Sequence, residues 1–434
     1  MDMALVTDWA NVSRGFMGRV TIACVPVFKR RPKQLGRHTP NLWPMRWVVP
    51  LALSFVGALA YGLFQGVDAL LSAEAGKEPI NVQDVIKTTV TVLTLVGAVL
   101  AGLYAYRKQL LDEGASHRAD AAQLAERYTT AAEQLGHEQA AVRLAGVYAM
   151  ARLADDWPEQ RQVCIDVLCA YLRMPYETDP TAPGFMKGER EVRLTMIRTI
   201  RDHLQDPAAG VTWCGSGLDF TGAVFDGGDF NGAVFSGGVV RFDGAVFSGG
   251  VVRFDGAVFS GGVVRFDGAV LSGGVVRFDG AVLSGGAVRF DGAVLSDGRV
   301  SFDGATFSGG AVRFDEVVFS GGAVYFDNAR FSGGRVYFGN AMFSGGRVHF
   351  GGAMFSGGRV YFGGAVFSGS TVYLGGAVFS GGTVHFDGAV FSGGPVSFVG
   401  ATATGGQVHF AHVRVQAGTA VDWGPFPAIP VNQP

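Results

Sequence analysis

The chain has 434 residues, a net charge of −2 and 48% apolar residues. It is long enough for two or three domains and too apolar for a disordered chain. The charge gives no whole-molecule field to attract nucleic acid. Glycine (66) and phenylalanine (34) are both abundant, but glycine does not fall at every third position, which excludes collagen. The four cysteines, Cys24, Cys164, Cys169 and Cys214, fit no disulfide framework or zinc spacing. We read them as reduced thiols, with Cys164 and Cys169 buried in a helix.

Residues 1–45 are basic, show no periodicity and are expected to form a disordered cytoplasmic segment. Two uncharged apolar stretches follow, Trp47–Gln65 and Thr88–Tyr106. Each is close to the ~20 residues a membrane-spanning helix needs. Trp47 and Tyr106 sit at their ends, where interfacial aromatics belong. Residues 46–106 therefore read as a transmembrane hairpin. Lys29, Arg30, Arg31, Lys33, Arg37 and Arg46 precede the first stretch, and Arg107 and Lys108 follow the second. The connecting loop is acidic (Asp68, Glu74, Glu78, Asp84) apart from Lys77, with Lys87 at the membrane edge. This asymmetry predicts a multi-pass protein of the cell membrane with both termini cytoplasmic. A cleaved signal peptide is disfavoured, because the first stretch lies too far from Met1.

Residues 107–210 read as a small cytoplasmic all-α region. Leu124, Tyr128, Ala132 and Leu135 share one face of a helix that continues the second span. Residues 140–156 are apolar nearly all round, hence a buried helix. Asp156 ahead of Trp157-Pro158 has the look of an N-cap for the next helix, 159–174. A third, 189–204, aligns Val192, Met196, Ile200 and Leu204. The pair 140–174 resembles one HEAT-like unit, which must bury its open face on the third helix, on the following domain or on a second copy. The Arg and Asp residues here are expected to be solvated faces and caps.

From residue 218 the text is repetitive: "LDFTGAVFDGGDFNGAVFSG" sets Phe220, Phe225, Phe230 and Phe235 five apart, each with Leu, Ala or Gly two residues before. This pattern resembles the pentapeptide-repeat proteins. The resemblance implies a right-handed, four-sided parallel β-helix, one pentapeptide per side, with the large and small residues inward. After Phe235 the spacing alternates seven and five through Phe242, Phe247, Phe254 and Phe259 to Phe398 and Phe410. Adding two residues to alternate sides keeps every Phe inward, because side chains alternate with period two. The extra length falls at "SGGV", where glycine tolerates a corner. Coils of 24 residues follow, roughly eight over residues 218–415, in a rod about 40 Å long at ~4.8 Å per coil. A two-sided solenoid of twelve residues per coil is the competing architecture. The solenoid is expected to span 211–416, with a Pro-rich tail at 417–434.

Outside this core, Arg-Phe-Asp units recur. A 24-residue coil puts Arg241, Arg265, Arg289 and Arg313 on one side and Arg253 and Arg277 on the other, each beside an Asp column. Such a surface is neutralised and solubilising. Beyond Asp315 the composition changes. Tyr325, Tyr337, His349, Tyr361, Tyr373 and His385 replace the arginines, Arg330, Arg335, Arg347 and Arg359 appear, and no acid lies between Asp327 and Asp387. Tyr325, Arg335, Tyr337, Arg347, His349, Arg359, Tyr361 and Tyr373 are the candidate partner-binding surface, a basic, aromatic patch suited to an anionic partner. Zinc-protease, P-loop, serine-hydrolase and CxxC motifs are all missing from the sequence, and the histidines lie on different coils, so neither an enzyme nor a metal or cofactor is expected.

In order as well as motif, residues 47–415 resemble the membrane-tethered pentapeptide-repeat proteins typical of actinobacteria. The resemblance rests on the two spans, on "RYTTAAEQLGHEQAAVRLAGVYAMARLADD" (127–156), on "VLCAYLR" (167–173) and on the repeat. It implies a non-enzymatic scaffold with an unidentified protein partner, or a second copy meeting through the helices or the solenoid end. The alternative is a DNA mimic that modulates gyrase, as in another branch of the fold. Such mimics are strongly acidic, whereas residues 218–415 hold 14 acids (13 Asp and Glu316) against 12 Arg.

Overall fold

The structure, a computed structural model, describes residues 45–74 and 82–430. The expected disordered segment before Met45 and the loop 75–81 lie outside the described residues, as do the lysines and arginines from Lys29 to Arg37 and the loop charges Lys77 and Glu78. The chain divides into two compact units, 1–113 and 114–434.

The first unit is helical. Helix α1 (Met45–Glu74) contains the first apolar stretch, with Pro50 inside it. Helix α2 (Val82–Leu135) contains the second. Within it, Ile86–Asp112 is long and apolar enough to cross a membrane, and Leu95, Val99 and Leu103 are exposed. It is the one such helix among the described residues.

In the second unit, the end of α2 packs on α3 (Ala140–Asp156), α4 (Arg161–Arg173) and α5 (Glu189–Asp202). The expected faces are correct: Leu135, Val192, Met196, Ile200 and Leu204 are buried, with Leu124, Tyr128 and Ala132 packed against them. Cys164 and Cys169 are buried free thiols, and burial pushes Cys169 up to about 12. Two expectations fail. Asp156 caps nothing: it ends α3 and pairs with Arg127 at 2.6 Å, while Trp157 precedes a 3-10 turn at Pro158–Gln160. Nor are all the charges solvated. Arg143, Glu189 and Arg193 are buried, with Glu189 between the guanidinium groups at 3.3 and 2.9 Å. Arg143 also donates to the carbonyls of His137 and Glu138, and Arg193 to those of Leu172 and Met174. The Tyr171 hydroxyl donates to Glu189 at 2.9 Å. A buried charge needs this degree of satisfaction.

The helix pair packs on the third helix, and α4 and α5 together cover the end of the solenoid, so two of the three expected partners are used. Ile197 lies against Gly228, and Val234 N–H donates to Leu204 carbonyl at 2.7 Å. Arg173, Arg190 and Arg201 pair with Asp219, Asp226 and Asp229 of the first coil. The hydrophobic core runs without a break from Ala131 to Val415. Residue 210 is therefore no packing boundary.

The solenoid has four parallel sheets. The first face runs from Leu218–Asp219 to Gln407–His409, the second from Val224–Phe225 to Arg414–Val415 and the third from Gly228–Asp229 to Val421–Asp422, nine strands each. The fourth, Val234–Ser236 to Thr402–Ala403, has eight. Val239 pairs with Val263 and Val263 with Ala287, a register of 24 that rules out the twelve-residue coil. The opening coil is shorter, with Leu218 opposite Val240. The count is about nine coils rather than eight. The extra strand lies in the expected tail: Val421–Asp422 pairs with Val396–Ser397, and Trp423 and Phe426 cover Phe398 and Phe410. Residues 421–426 therefore cap the rod rather than trail from it.

A typical coil, such as 242–265, buries four large residues, two Val and two Ala. Phe242, Val252, Ala257 and Phe259 are at most 2% exposed. So are Phe220, Phe225, Phe230, Phe247 and Phe254, and Phe235 is 3% exposed. The rings form columns: Phe242 stacks on Phe266 at 4.6 Å and 3°. Across the rod, Phe242 and Phe254 meet edge to face at 5.7 Å. Both arrangements suit the aromatic quadrupole. The corner glycines have two tasks. Gly249 takes a φ of 76°, whereas a Cβ on Gly250 would strike the backbone of Gly227 in the coil below.

Candidate interaction surface

On the first and third faces the middle residue of each three-residue strand points inward and its neighbours point outward, as in Val239–Arg241 and Val251–Arg253. The repeat fills the last of these positions with Arg, two residues before an Asp. On the first face Arg265, Arg289 and Arg313 each bridge two coils. Arg265 reaches Asp267 at 3.1 Å and Asp243 at 3.3 Å; Arg289 reaches Asp291 at 2.9 Å and Asp267 at 3.4 Å; Arg313 reaches Asp315 at 2.9 Å and Asp291 at 3.4 Å. On the opposite, third face Arg277 does the same with Asp279 and Asp255. The two-sided placement of the arginines is as expected.

The aspartates do more than neutralise. Asp267 Oδ1 accepts the backbone N–H of Asp291 at 3.2 Å, one coil on, and Asp255 accepts that of Asp279 in the same way. Being half-buried raises the pKa of Asp243, Asp255, Asp291 and Asp327 above the usual carboxylate range, partly offset by the facing charges and hydrogen bonds. The last members, Asp315 and Asp327, accept from Gly339 and Gly351 at 2.8 and 2.7 Å. The columns then stop.

Aromatic ladders replace them, and here the structure corrects the single patch. Arg335, Tyr337, Arg359 and Tyr361 stand on the first face; Tyr325, Arg347, His349 and Tyr373 stand on the third, on the other side of the rod. Residues twelve apart are half a coil apart, so they cannot share a side. On the first face Arg313 lies over Tyr337 at 5.9 Å. Tyr337 stacks on Tyr361 at 5.1 Å, Tyr361 on His385 at 5.0 Å and His385 on His409 at 4.8 Å. On the third face Arg299 lies over Tyr325 at 4.4 Å, Tyr325 stacks on His349 at 5.1 Å, and His349 meets Tyr373 at 5.9 Å. At Gly375 the absence of a side chain leaves room for the Tyr373 ring to lie over the backbone.

Arg335 and Arg359 on the first face, Arg347 on the third and Arg330 on the fourth are exposed and pair with no carboxylate among the described residues. The coils between Asp327 and Asp387 thus carry a girdle of free cations and no acid, whereas upstream Arg265, Arg277, Arg289 and Arg313 are each paired twice. Arranged on rigid strands, such cations can meet anionic groups on a partner. Among the described residues no group of three His, Cys, Asp or Glu side chains is arranged to hold a metal.

Residues 220–270, 266–312, 309–354 and 350–402 match the family model described as pentapeptide repeats, in nine copies. No curated protein and no solved structure matches the chain.

Proposed function

Taking residues 220–402 as a pentapeptide-repeat β-solenoid, we propose that the chain is a non-enzymatic scaffold. It is anchored in a membrane by the two apolar stretches and presents the solenoid to an anionic partner on the cytoplasmic side. One observation carries this reading. Upstream, Arg265, Arg277, Arg289 and Arg313 are each satisfied by two aspartates, whereas Arg335, Arg347 and Arg359 are exposed and unpaired beside ordered aromatic ladders, in a stretch with no acid between Asp327 and Asp387. An Arg or Tyr held on a strand loses little entropy on binding, and these residue types dominate interface energetics. Anchoring is supported by the exposed apolar surface of Ile86–Asp112. Its side is supported by Arg107 and Lys108 at the end of that segment. A gyrase-directed DNA mimic is not favoured, since the unpaired charges here are positive.

Two measurements test the proposal. Thr404 is exposed on the fourth face, so Thr404→Cys, with the native cysteines replaced, reports the side of the membrane. It should resist an impermeant thiol reagent in intact cells and react after lysis; labelling from outside would overturn the orientation. Proximity labelling should then recover a set of proteins that Arg335→Glu with Arg359→Glu depletes. An unchanged set would refute the girdle as the contact surface.

A further inference from the structure

We propose that Arg335 and Arg359, on the first face, seat a phosphate group carried by a protein partner. The inference rests on the cationic girdle being a contact surface, and it names the chemistry that surface takes. The two arginines are register partners on adjacent parallel strands. Both are exposed, and neither pairs with a carboxylate among the described residues. Their side chains leave the same side of the sheet about one strand spacing apart, roughly 4.8 Å. Every other pair of register-partner arginines among the described residues has an aspartate column two residues on. Arg265 and Arg289 are such a pair, and Asp267 reaches both, at 3.1 and 3.4 Å. Two residues after Arg335 and Arg359 the chain instead places Tyr337 and Tyr361, with Gly339 and Gly363 beyond them.

Two like charges this close repel, so an anion that touches both is favoured. A phosphomonoester brings close to two negative charges and three strong acceptor oxygens. It can take a guanidinium contact from each arginine at once, in the forked geometry that suits phosphate. A single carboxylate neutralises only one of the two. The footprint is small: the pair occupies two rungs, with Ala311 before it and Thr383 after it in the same column. That is room for one phosphate group, not for a sheet of lipid headgroups. Nor does the surface suit single-stranded nucleic acid, which needs open ring faces for its bases. Tyr337 is covered by Arg313 at 5.9 Å and by Tyr361 at 5.1 Å, and Tyr361 in turn by His385 at 5.0 Å. The covered rings leave their hydroxyls as further donors beside the arginines.

Arg347, on the third face, supplies the contrast. Its register neighbours are Ala323 and Thr371, so it is exposed but single. A contact through the Arg335–Arg359 pair is made when the partner segment is phosphorylated and is lost when it is not.

The test uses the purified full chain in phosphatidylcholine nanodiscs at constant ionic strength and pH about 7.5, where a phosphomonoester is close to doubly charged. Arginines are labelled with phenylglyoxal and the labelled sites are read by mass spectrometry. Inorganic phosphate and a glycine-flanked phosphoserine peptide are the probes. Each should slow the labelling of Arg335 and Arg359 several-fold and leave that of Arg347 unchanged. The same peptide with Glu in place of phosphoserine should protect far less. Arg335→Gln should remove the protection of Arg359, whereas Arg347→Gln should not. Both substitutions alter exposed side chains, so circular dichroism should match that of the native chain. The proposal is overturned if neither probe protects the pair, if Arg347 is protected equally, or if the Glu peptide protects as well. It is also overturned if nanodiscs containing phosphatidic acid, or a single-stranded oligonucleotide, protect the pair at a lower phosphate concentration than the peptide. If Arg335→Glu with Arg359→Glu depletes the proximity-labelled proteins while phosphate gives no protection, the contact surface stands and the phosphate assignment falls.

Discussion

Arg277 and Phe278 are adjacent in sequence and sit on opposite sides of the sheet surface. Phe278 is 1% exposed and lies between Phe254 and Phe302, each 4.8 Å away, with Phe266 and Phe290 edge-on at 5.8 Å. Removing such a ring costs about 3–5 kcal/mol, and a carboxylate in its place must also be neutralised or paired. The Arg277 side chain is 41% exposed, and each of its two ion pairs is screened. Phe278→Asp should therefore lower the melting temperature far more than Arg277→Ala, by several-fold in degrees. Comparable shifts would place Phe278 outside the core. Asp279 is a different case from its arginine. Its Oδ1 accepts the N–H of Asp303 from the next coil at 3.2 Å, a bond that composition and charge counting do not disclose. In the repeat sequence the Arg-Phe-Asp unit looks like a surface ion pair; in the fold only the Arg is a surface residue in that sense.

The junction between the helices and the first coil and the aspartate columns beyond it respond to acid in opposite directions. Asp219 is raised by partial burial, but hydrogen bonds from Thr221 and the Arg173 guanidinium outweigh this, and its pKa lies below the usual value. A depressed carboxylate contributes stability that is present above its unfolded value, ~3.9, and is lost as pH falls through the folded one. In Asp243, Asp255, Asp291 and Asp327 burial prevails, and the folded pKa lies above the unfolded one. The folded state then holds the extra proton, so these groups become more favourable to folding as pH falls through that window. Lowering the pH from about 5 to about 3 should accelerate hydrogen exchange at Leu218–Phe220 before it does so in the coils carrying those four aspartates. Acid loosening of the middle coils first would show that the signs are reversed. The helices themselves were legible from their periodic apolar faces. The buried Arg143–Glu189–Arg193 cluster was not, because an arginine on a helix carries no local mark of whether its neighbour in space is water or a glutamate 46 residues away.

At the scale of the molecule the two-residue expansion of alternate sides was enough to fix the 24-residue coil and the opposite placement of the arginines. The same arithmetic divides the Tyr and His ladders between two faces, because Tyr325 and Tyr337 are half a coil apart. The cap of Val421, Trp423 and Phe426 was hidden, since one strand without a repeat around it reads as tail. The register makes a further claim that deletion can test. Removing 247–270 joins Val246 to Leu271, which already pairs with Phe247 in the native sheet, so every later strand lands on its own column. Removing 247–258 also leaves a good local sequence, but turns all that follows half a coil against the helical cap. Strand Val263–Arg265 then falls on the third face, and the ladder of Tyr337, Tyr361 and His385 changes sides with it. Removing five residues, 247–251, deletes one short side; corners that require glycine then meet strands, and Phe contacts are lost in neighbouring coils. Thermal stability should fall in that order: little change for 24 residues, a modest loss for twelve and a loss of several kcal/mol for five. Cysteines at Tyr337 and Asp229 give an independent readout, because these positions lie on opposite faces in the native chain and on the same face after the twelve-residue deletion. Spin labels at the two sites should report that exchange as a change in separation. An unchanged separation would mean that the downstream coils do not turn as a rigid body, and that the 24-residue register does not govern how the rod is built.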